Sequence, residues 1–297
     1  MHNAIDLRDV ARRQGRFRLG PIKLAIPAGG IFGLIGPNGA GKTTLLDLIC
    51  GIGRADAGSI TVLGMDIARN EVAIKQRIAY AGPETSYLPW GRIGRLLDFV
   101  SGFYPDWDDA KCAELLEAFG LQRSQSISGL SFGGASKIGL VLALSRDPHL
   151  IVLDEPTTGL DPVARRVLYA ELLHRMQRPD RTILIATHLL ADLERFADRI
   201  ALIHQGTLRL QGDMATIGER YVQLDVALTP GAAVHLPPGL TLLAQQGGRA
   251  RYLADHDVLA PGWDSALPGE IVGRKPLSLE ELYLALEGSA PASKVAA

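Results

Sequence analysis

The run Gly36-Pro37-Asn38-Gly39-Ala40-Gly41-Lys42-Thr43-Thr44 constrains this chain more than any other stretch, because it encodes a cradle for phosphate. Residues 36–43 fit G-x-x-x-x-G-K-[ST], in which each fixed residue has a mechanical task. Glycines let backbone N–H groups turn inward where a side chain would obstruct them. Lys42 is the reach toward β- and γ-phosphates, and the Thr43 hydroxyl is a hard ligand for Mg²⁺. The flanks agree. Ile31-Phe32-Gly33-Leu34-Ile35 reads as a buried strand, and Thr44-Leu45-Leu46-Asp47-Leu48-Ile49 as the start of a helix. The N-terminal end of that helix adds positive potential where phosphates would sit.

Short apolar runs recur between helical patterns, which predicts an α/β core with buried strands. The clearest are residues 31–35, 150–153, 182–186 and 200–203; after the last, His204-Gln205-Gly206 is a turn and residues 207–210 return as a strand. Alternation around Ile60-Thr61-Val62-Leu63 predicts an antiparallel appendage between 56 and 83. From 90 to 126 the pattern is helical, with Asp108 as a cap and Gly120 as the stop of a helix carrying Leu115, Leu116 and Phe119. Asp161-Pro162 opens another helix, with Val167, Leu168, Leu172 and Met176 as its core stripe. Past Gly212, residues 222–228 alternate as a strand, the following Gly/Pro-rich region reads as irregular, and residues 279–286 form an amphipathic helix.

Charge is nearly balanced, with 31 Lys+Arg against 32 Asp+Glu, which argues against nucleic acid as the main partner. Cys50 and Cys112 have neither a disulfide framework nor metal-ligand spacing and read as small core residues. The first residues lack a signal pattern, and no apolar stretch approaches the ~18 residues of a membrane helix. The expectation is a soluble, cytoplasmic chain that does any membrane work through a partner.

A phosphate cradle alone fits kinases, GTPases and motor ATPases equally. Leu150-Ile151-Val152-Leu153-Asp154-Glu155 narrows the choice, because two acids ending an apolar strand need partners. Asp154 is placed to hold Mg²⁺, directly or through water, and Glu155 to orient or deprotonate a water attacking the γ-phosphate. Helix capping is the plainer alternative for such a pair. His188 leaves the C-terminal end of the strand 182–186, where open α/β sheets place their ligand crevice, so a γ-phosphate contact is expected there.

In this order, from about residue 5 to 212, these pieces resemble the ATP-binding subunits of ABC transporters. Residues 36–43 match the Walker A loop and 150–155 the Walker B strand with its catalytic glutamate, Glu155. Thr158-Gly159-Leu160-Asp161 looks like the D-loop, His188 like the switch histidine, and Leu130-Ser131-Phe132-Gly133-Gly134 lies where the signature belongs. The resemblance implies a P-loop NTPase core with an antiparallel β appendage and an α-helical signature subdomain over about 84–140. It also implies ATP sandwiched head to tail between two ATPase chains, the cradle of one facing Ser131 and Gly133 of the other. The change of composition near Gly212 then divides the chain into an ATP-binding domain (1–212), a small β-rich C-terminal extension (213–286) and a disordered tail (287–297).

Three departures stand out. Phe132 and Gly134 replace a glycine and a glutamine of the signature. Pro83 stands where a glutamine usually ligates Mg²⁺, leaving Glu84 as the local substitute. Gln14 stands where an aromatic usually stacks on adenine, leaving Phe17 as the candidate. Tyr104-Pro105-Asp106-Trp107-Asp108 and residues 279–286 look like features of bacterial exporters whose permease is a separate membrane chain. In those systems the region 85–95 receives the permease, with Tyr87 and Trp90 as exposed aromatics, and the ATPase sits on the inner face of the cell membrane. Two other readings stay open: a regulatory nucleotide-binding subunit of a heterodimer, and a soluble ABC-type ATPase acting on nucleic acid or ribosomes.

Overall fold

The computed structural model describes residues 2–83, 86–230 and 236–288. Its strands are, in chain order, β1 (Asn3–Gln14), β2 (Phe17–Pro27), β3 (Gly30–Ile35), β4 (Ala57–Val62), β5 (Met65–Asp66), β6 (Ile78–Ala81) and β7 (Leu150–Asp154). They continue with β8 (Thr182–Thr187), β9 (Arg199–His204), β10 (Thr207–Asp213), β11 (Tyr221–Leu228), β12 (Leu240–Gln246), β13 (Arg249–Asp255) and β14 (Gly269–Pro276).

Six strands in the order β10-β9-β3-β8-β7-β6 make the central sheet, and β3, β6, β7, β8 and β9 run parallel. Parallel strands are covered on both faces, which is why β7 and β8 are buried along their whole lengths. The helix Lys42–Ile49 buries Leu45, Leu46, Leu48 and Ile49 in the same core as Phe32, Leu34, Val152 and Leu184. A second sheet, β2-β1-β4-β5, is antiparallel and includes the predicted appendage. Its long hairpin β1–β2 escaped the sequence reading. Register shifts between Leu7 and Val10 and between Val10 and Arg12 break the alternation that would have announced β1.

The helical segment contains Ile93–Ser101, Asp109–Ala118 and Phe132–Leu144. Asp108 caps the second by accepting from the Lys111 N–H at 2.9 Å. Asp161 likewise caps the helix Pro162–Arg175, whose Leu168 and Leu172 are buried while Val167 and Met176 are only partly so. The Tyr104–Asp108 segment has a structural task. Arg146, itself buried, lies 3.5 Å over the Tyr104 ring, pairs with Asp106 at 3.2 Å and donates to the Ile78 carbonyl at 2.7 Å. One guanidinium thus ties that segment to the start of β6. Tyr87 and Trp90 are half-buried rather than exposed, and Trp90 packs on Phe99 with ring centroids 4.2 Å apart. The exposed apolar groups of this region are Leu88, Phe99 and Phe103.

The chain forms two compact units, residues 1–188 with 197–211, and residues 189–196 with 212 onward. The second contains the antiparallel sheet β12-β13-β11-β14, with Leu224, Val226, Leu240, Tyr252 and Ala254 in its core. The described residues after β11 are therefore largely paired strand rather than irregular, as the Gly/Pro content had suggested. A register shift between Leu242 and Ala244 inverts the phase of β12 in mid-strand, and β14 alternates around two glycines, so neither shows a clean period of two. The helix Leu279–Gly288 buries Leu279, Leu282 and Ala285. The predicted tail lies outside the described residues apart from 287–288, which belong to that helix.

Candidate active site

Three neighbouring parallel strands, β3, β8 and β7, end on the same side, and the singled-out residues follow from their C-terminal ends. The cradle leaves β3 after Ile35, Asp154 ends β7, and His188 follows β8. Strand order alone gathers residues more than a hundred positions apart in sequence.

Lys42 is 5% exposed, and its Nζ donates to the carbonyls of Gly36 at 2.8 Å and Pro37 at 3.3 Å. It also lies 3.2 Å from Glu155 Oε1, a charge contact without the alignment of a hydrogen bond. Thr43 Oγ1 donates to Asp154 Oδ2 at 2.6 Å, while Asp154 Oδ1 is buried with no partner among the described residues. Burial holds the Asp154 carboxyl above the usual carboxylate value; the Thr43 hydrogen bond opposes this, and the Glu155 charge adds to it.

Glu155 has φ 47°, in the left-handed region that non-glycine residues avoid at a cost of about 1–3 kcal/mol. Its N–H is held by the Ala186 carbonyl at 2.8 Å. Its Oε2 accepts from Thr187 Oγ1 at 3.1 Å and lies 2.8 Å from His188 Nδ1. Three consecutive residues at the end of β8 therefore hold Glu155, Ala186 by its backbone and Thr187 and His188 by its carboxylate. Thr187 was missed in the sequence; its only signal was its place beside His188 at a strand end.

A cavity of about 530 Å³ opens over the loop, lined by Pro37, Asn38, Gly39, Gly41, Lys42, Thr43 and Thr44 together with Glu155. Phe17, Gln14 and Pro83 complete the wall. Gly41 has φ 105°, and a Cβ there would stand 2.8 Å from Phe17 Cζ, so the aromatic ring rests directly on the cradle. Ala40 is buried beneath, its carbonyl accepting from Gly206 N–H at 2.9 Å. Ser131 and Gly133 do not line this cavity. Ser131 caps the helix Phe132–Leu144 by accepting from Gly134 N–H at 3.2 Å, and a Cβ on Gly133 would fall on the Gly159 carbonyl oxygen. Lys137 reaches Asp161 at 2.8 Å, and with the Ala164 N–H it holds the Asp161 carboxyl down at about 2. Glu84 lies outside the described residues.

Residues 19–158 match the family described as ABC transporter. The chain is 30% identical over 292 residues to the ABC transporter ATP-binding protein YtrB of Bacillus subtilis, covering 96% of this chain and 98% of that one. The chain belongs to the ABC transporter ATP-binding proteins. It is 31% identical to the Nod factor export ATP-binding protein I of Burkholderia orbicola, over 96% and 97% of the two chains. Among solved structures it is similar to an ATP-binding subunit of an ABC transporter, with TM-score 0.66, 27% identity and coverage of 73% and 92%. This ABC protein is therefore an ATPase with the P-loop NTPase fold, of a family whose subunits bind ATP, dimerise and work with membrane permeases.

Asp154 makes the site costly to the nucleotide-free fold. The native state keeps its proton at pH values where the unfolded chain has released it, so stability falls as pH rises through that window. Asp154→Asn removes the buried charge, keeps an acceptor for Thr43, and is expected to unfold at higher urea than the parent above that window. A urea midpoint no higher than the parent's at any pH of a series carried upward through that window, in nucleotide-free protein, would contradict the burial argument.

Proposed function

We propose that this chain is the ATPase of an exporter whose permease is a separate membrane chain, and that two ATPase chains close head to tail over ATP and Mg²⁺. The observation that carries the reading is the meeting of Lys42, Thr43, Asp154, Glu155 and His188 at the ends of three adjacent strands, beside a cavity of about 530 Å³, within the range of small-molecule sites. The residues suit Mg²⁺. Thr43 Oγ1 and the buried Asp154 Oδ1, without a hydrogen-bond partner among the described residues, are hard oxygens, and phosphate and water would supply the remaining ligands. When bound, the ion neutralises charge on the transferred phosphoryl group.

In the nucleotide-free chain Lys42 and Glu155 occupy one another, which compensates both buried charges. Incoming phosphates compete for Lys42, releasing Glu155 Oε1 to accept a proton from the attacking water. Thr187 and His188 keep the other oxygen fixed, so the carboxylate changes partner without losing its aim. Phe17 offers a ring face to the base, replacing the missing aromatic at position 14. Ser131 and the bare backbone of Gly133 serve the nucleotide held by the second chain, in keeping with a cavity lining that includes neither of them.

Among the described residues no helix is long and apolar enough to cross a membrane, so the exporter reading requires a partner and places the chain on the inner membrane face through it. The exposed Leu88, Phe99 and Phe103, next to region 85–95, supply an apolar surface for docking. The export direction draws on the name of the Nod factor relative. Phe132, 55% exposed where the signature has glycine, favours the second reading, a regulatory subunit. With the chain in excess over ATP and Mg²⁺ saturating, the bound nucleotide is expected to appear as ADP and phosphate within a single turnover. Intact ATP recovered from the complex would move the assignment to the regulatory reading.

A further inference from the structure

The C-terminal sheet carries a concave face that none of the ATPase chemistry uses. A cavity of about 610 Å³ opens on it, within the size range of roughly 300–1,000 Å³ that holds small molecules. Its origin lies in the register. Side chains alternate across a strand, so Gln223 and Asp225 on β11 and Arg249 and Arg251 on β13 point away from the apolar face that carries Leu224, Val226 and Tyr252. Ala244 stands opposite Arg251 on β12, and Gly273 stands opposite Asp225 on β14. Small residues between long ones leave the middle of the face hollow.

The walls are cationic. Arg249, Arg251 and Lys275 line the cavity against one carboxylate, Asp225, in a chain whose formal net charge is only −1. Existing contacts absorb little of that excess. Arg249 has no ion-pair partner among the described residues, and Arg251 approaches Asp225 only to 3.9 Å. Lys275 alone has a close partner, Glu281 at 3.0 Å. The floor holds Gln223, 4% exposed, which donates Nε2 to Asp225 Oδ1 at 3.2 Å and puts a neutral amide beneath the cations.

We infer that this bowl binds a small molecule bearing a phosphate or carboxylate group, at a site separate from the nucleotide cradle. Two guanidinium groups two residues apart on one strand stand about 7 Å apart at their bases, a spacing their side chains close around one anionic group. Each fork matches two oxygens of a phosphate or carboxylate, a fit no other side chain offers. Ala244, exposed opposite Arg251, leaves room for the carbon part of the ligand. The site stands apart from the exporter assignment and needs no second chain.

The test uses the full chain carrying Lys42→Ala, so that the cradle does not compete for anions, titrated calorimetrically with inorganic pyrophosphate and with citrate. At least one probe is expected to bind saturably, one per chain. Arg249→Ala with Arg251→Ala is expected to weaken it tenfold or more, and added salt to weaken it progressively. Both side chains are exposed, so the unfolding midpoint should not move; if it does, Arg249→Ala alone, which breaks no ion pair, reads the same loss. Absence of saturable binding by either probe overturns the site, as does undiminished affinity in both variants. Sedimentation with phosphatidylglycerol vesicles, lost in the double variant but without soluble-anion binding, overturns it in favour of a lipid surface. None of these outcomes touches the ATPase reading, which the single-turnover experiment decides.

Discussion

Glu155→Gln is expected to slow ATP turnover by about 10²–10⁴-fold, the usual worth of a well-placed general base, while ATP binding persists. The amide keeps the size of the side chain and can still accept from Thr187, so the strained backbone at φ 47° stays supported. What it loses is the capacity to take a proton from water. It also frees Lys42 from its charge contact, which leaves the cation wholly available to phosphate. Closed dimers should therefore accumulate with ATP and Mg²⁺. Light scattering would report close to twice the 31.9 kDa of one chain, against a mixture that decays with hydrolysis in the parent. A variant that turns over at the parental rate removes Glu155 from the chemistry; one that holds ATP yet stays monomeric removes the closure step.

Lys42→Ala acts one step earlier and should abolish useful nucleotide binding. Truncating one member of a buried, hydrogen-bonded charge pair costs about 2–5 kcal/mol, so ATP affinity should fall by roughly 10²-fold or more. The side chain is nearly enclosed by the Gly36 and Pro37 carbonyls and Glu155, and nothing else in the cavity lining is cationic. Lys42→Arg should rescue little, since the planar fork does not fit a slot shaped for a compact ammonium. Binding is read by calorimetry with Mg²⁺-ATP, with circular dichroism to confirm the fold. Affinity equal to the parent would break the link between the cradle and the nucleotide. Side by side, the two variants separate holding ATP from cleaving it.

Much of the candidate site was legible because each of its parts is local. The cradle is nine consecutive residues, the acids end a recognisable apolar run, and His188 follows another. Caps behaved the same way: Asp108 and Asp161 each accept a hydrogen bond within three residues, so sequence spacing contains the whole interaction. What escaped notice depends on neighbours far along the chain. Thr187 matters only because β8 lies beside β7, which brings its hydroxyl to Glu155. Arg146 carries no local signal, because its role depends on Tyr104, Asp106 and Ile78 closing around it. Strands β1, β12 and β14 were hidden by bulges and glycines that upset the period of two.

From its residues alone, this protein announces a triphosphate cradle, a pair of acids at a strand end, and membership of the ABC ATPases, because each is written in a short run with fixed spacing. Tertiary structure decided that Lys42 and Glu155 share a charge contact at rest, that Phe17 lies against Gly41, and that cations gather over a hollow in the C-terminal sheet. These depend on strand order and register, which set distances between residues remote in sequence. Local spacing carries no record of such distances, because they come into being only when the sheets pair.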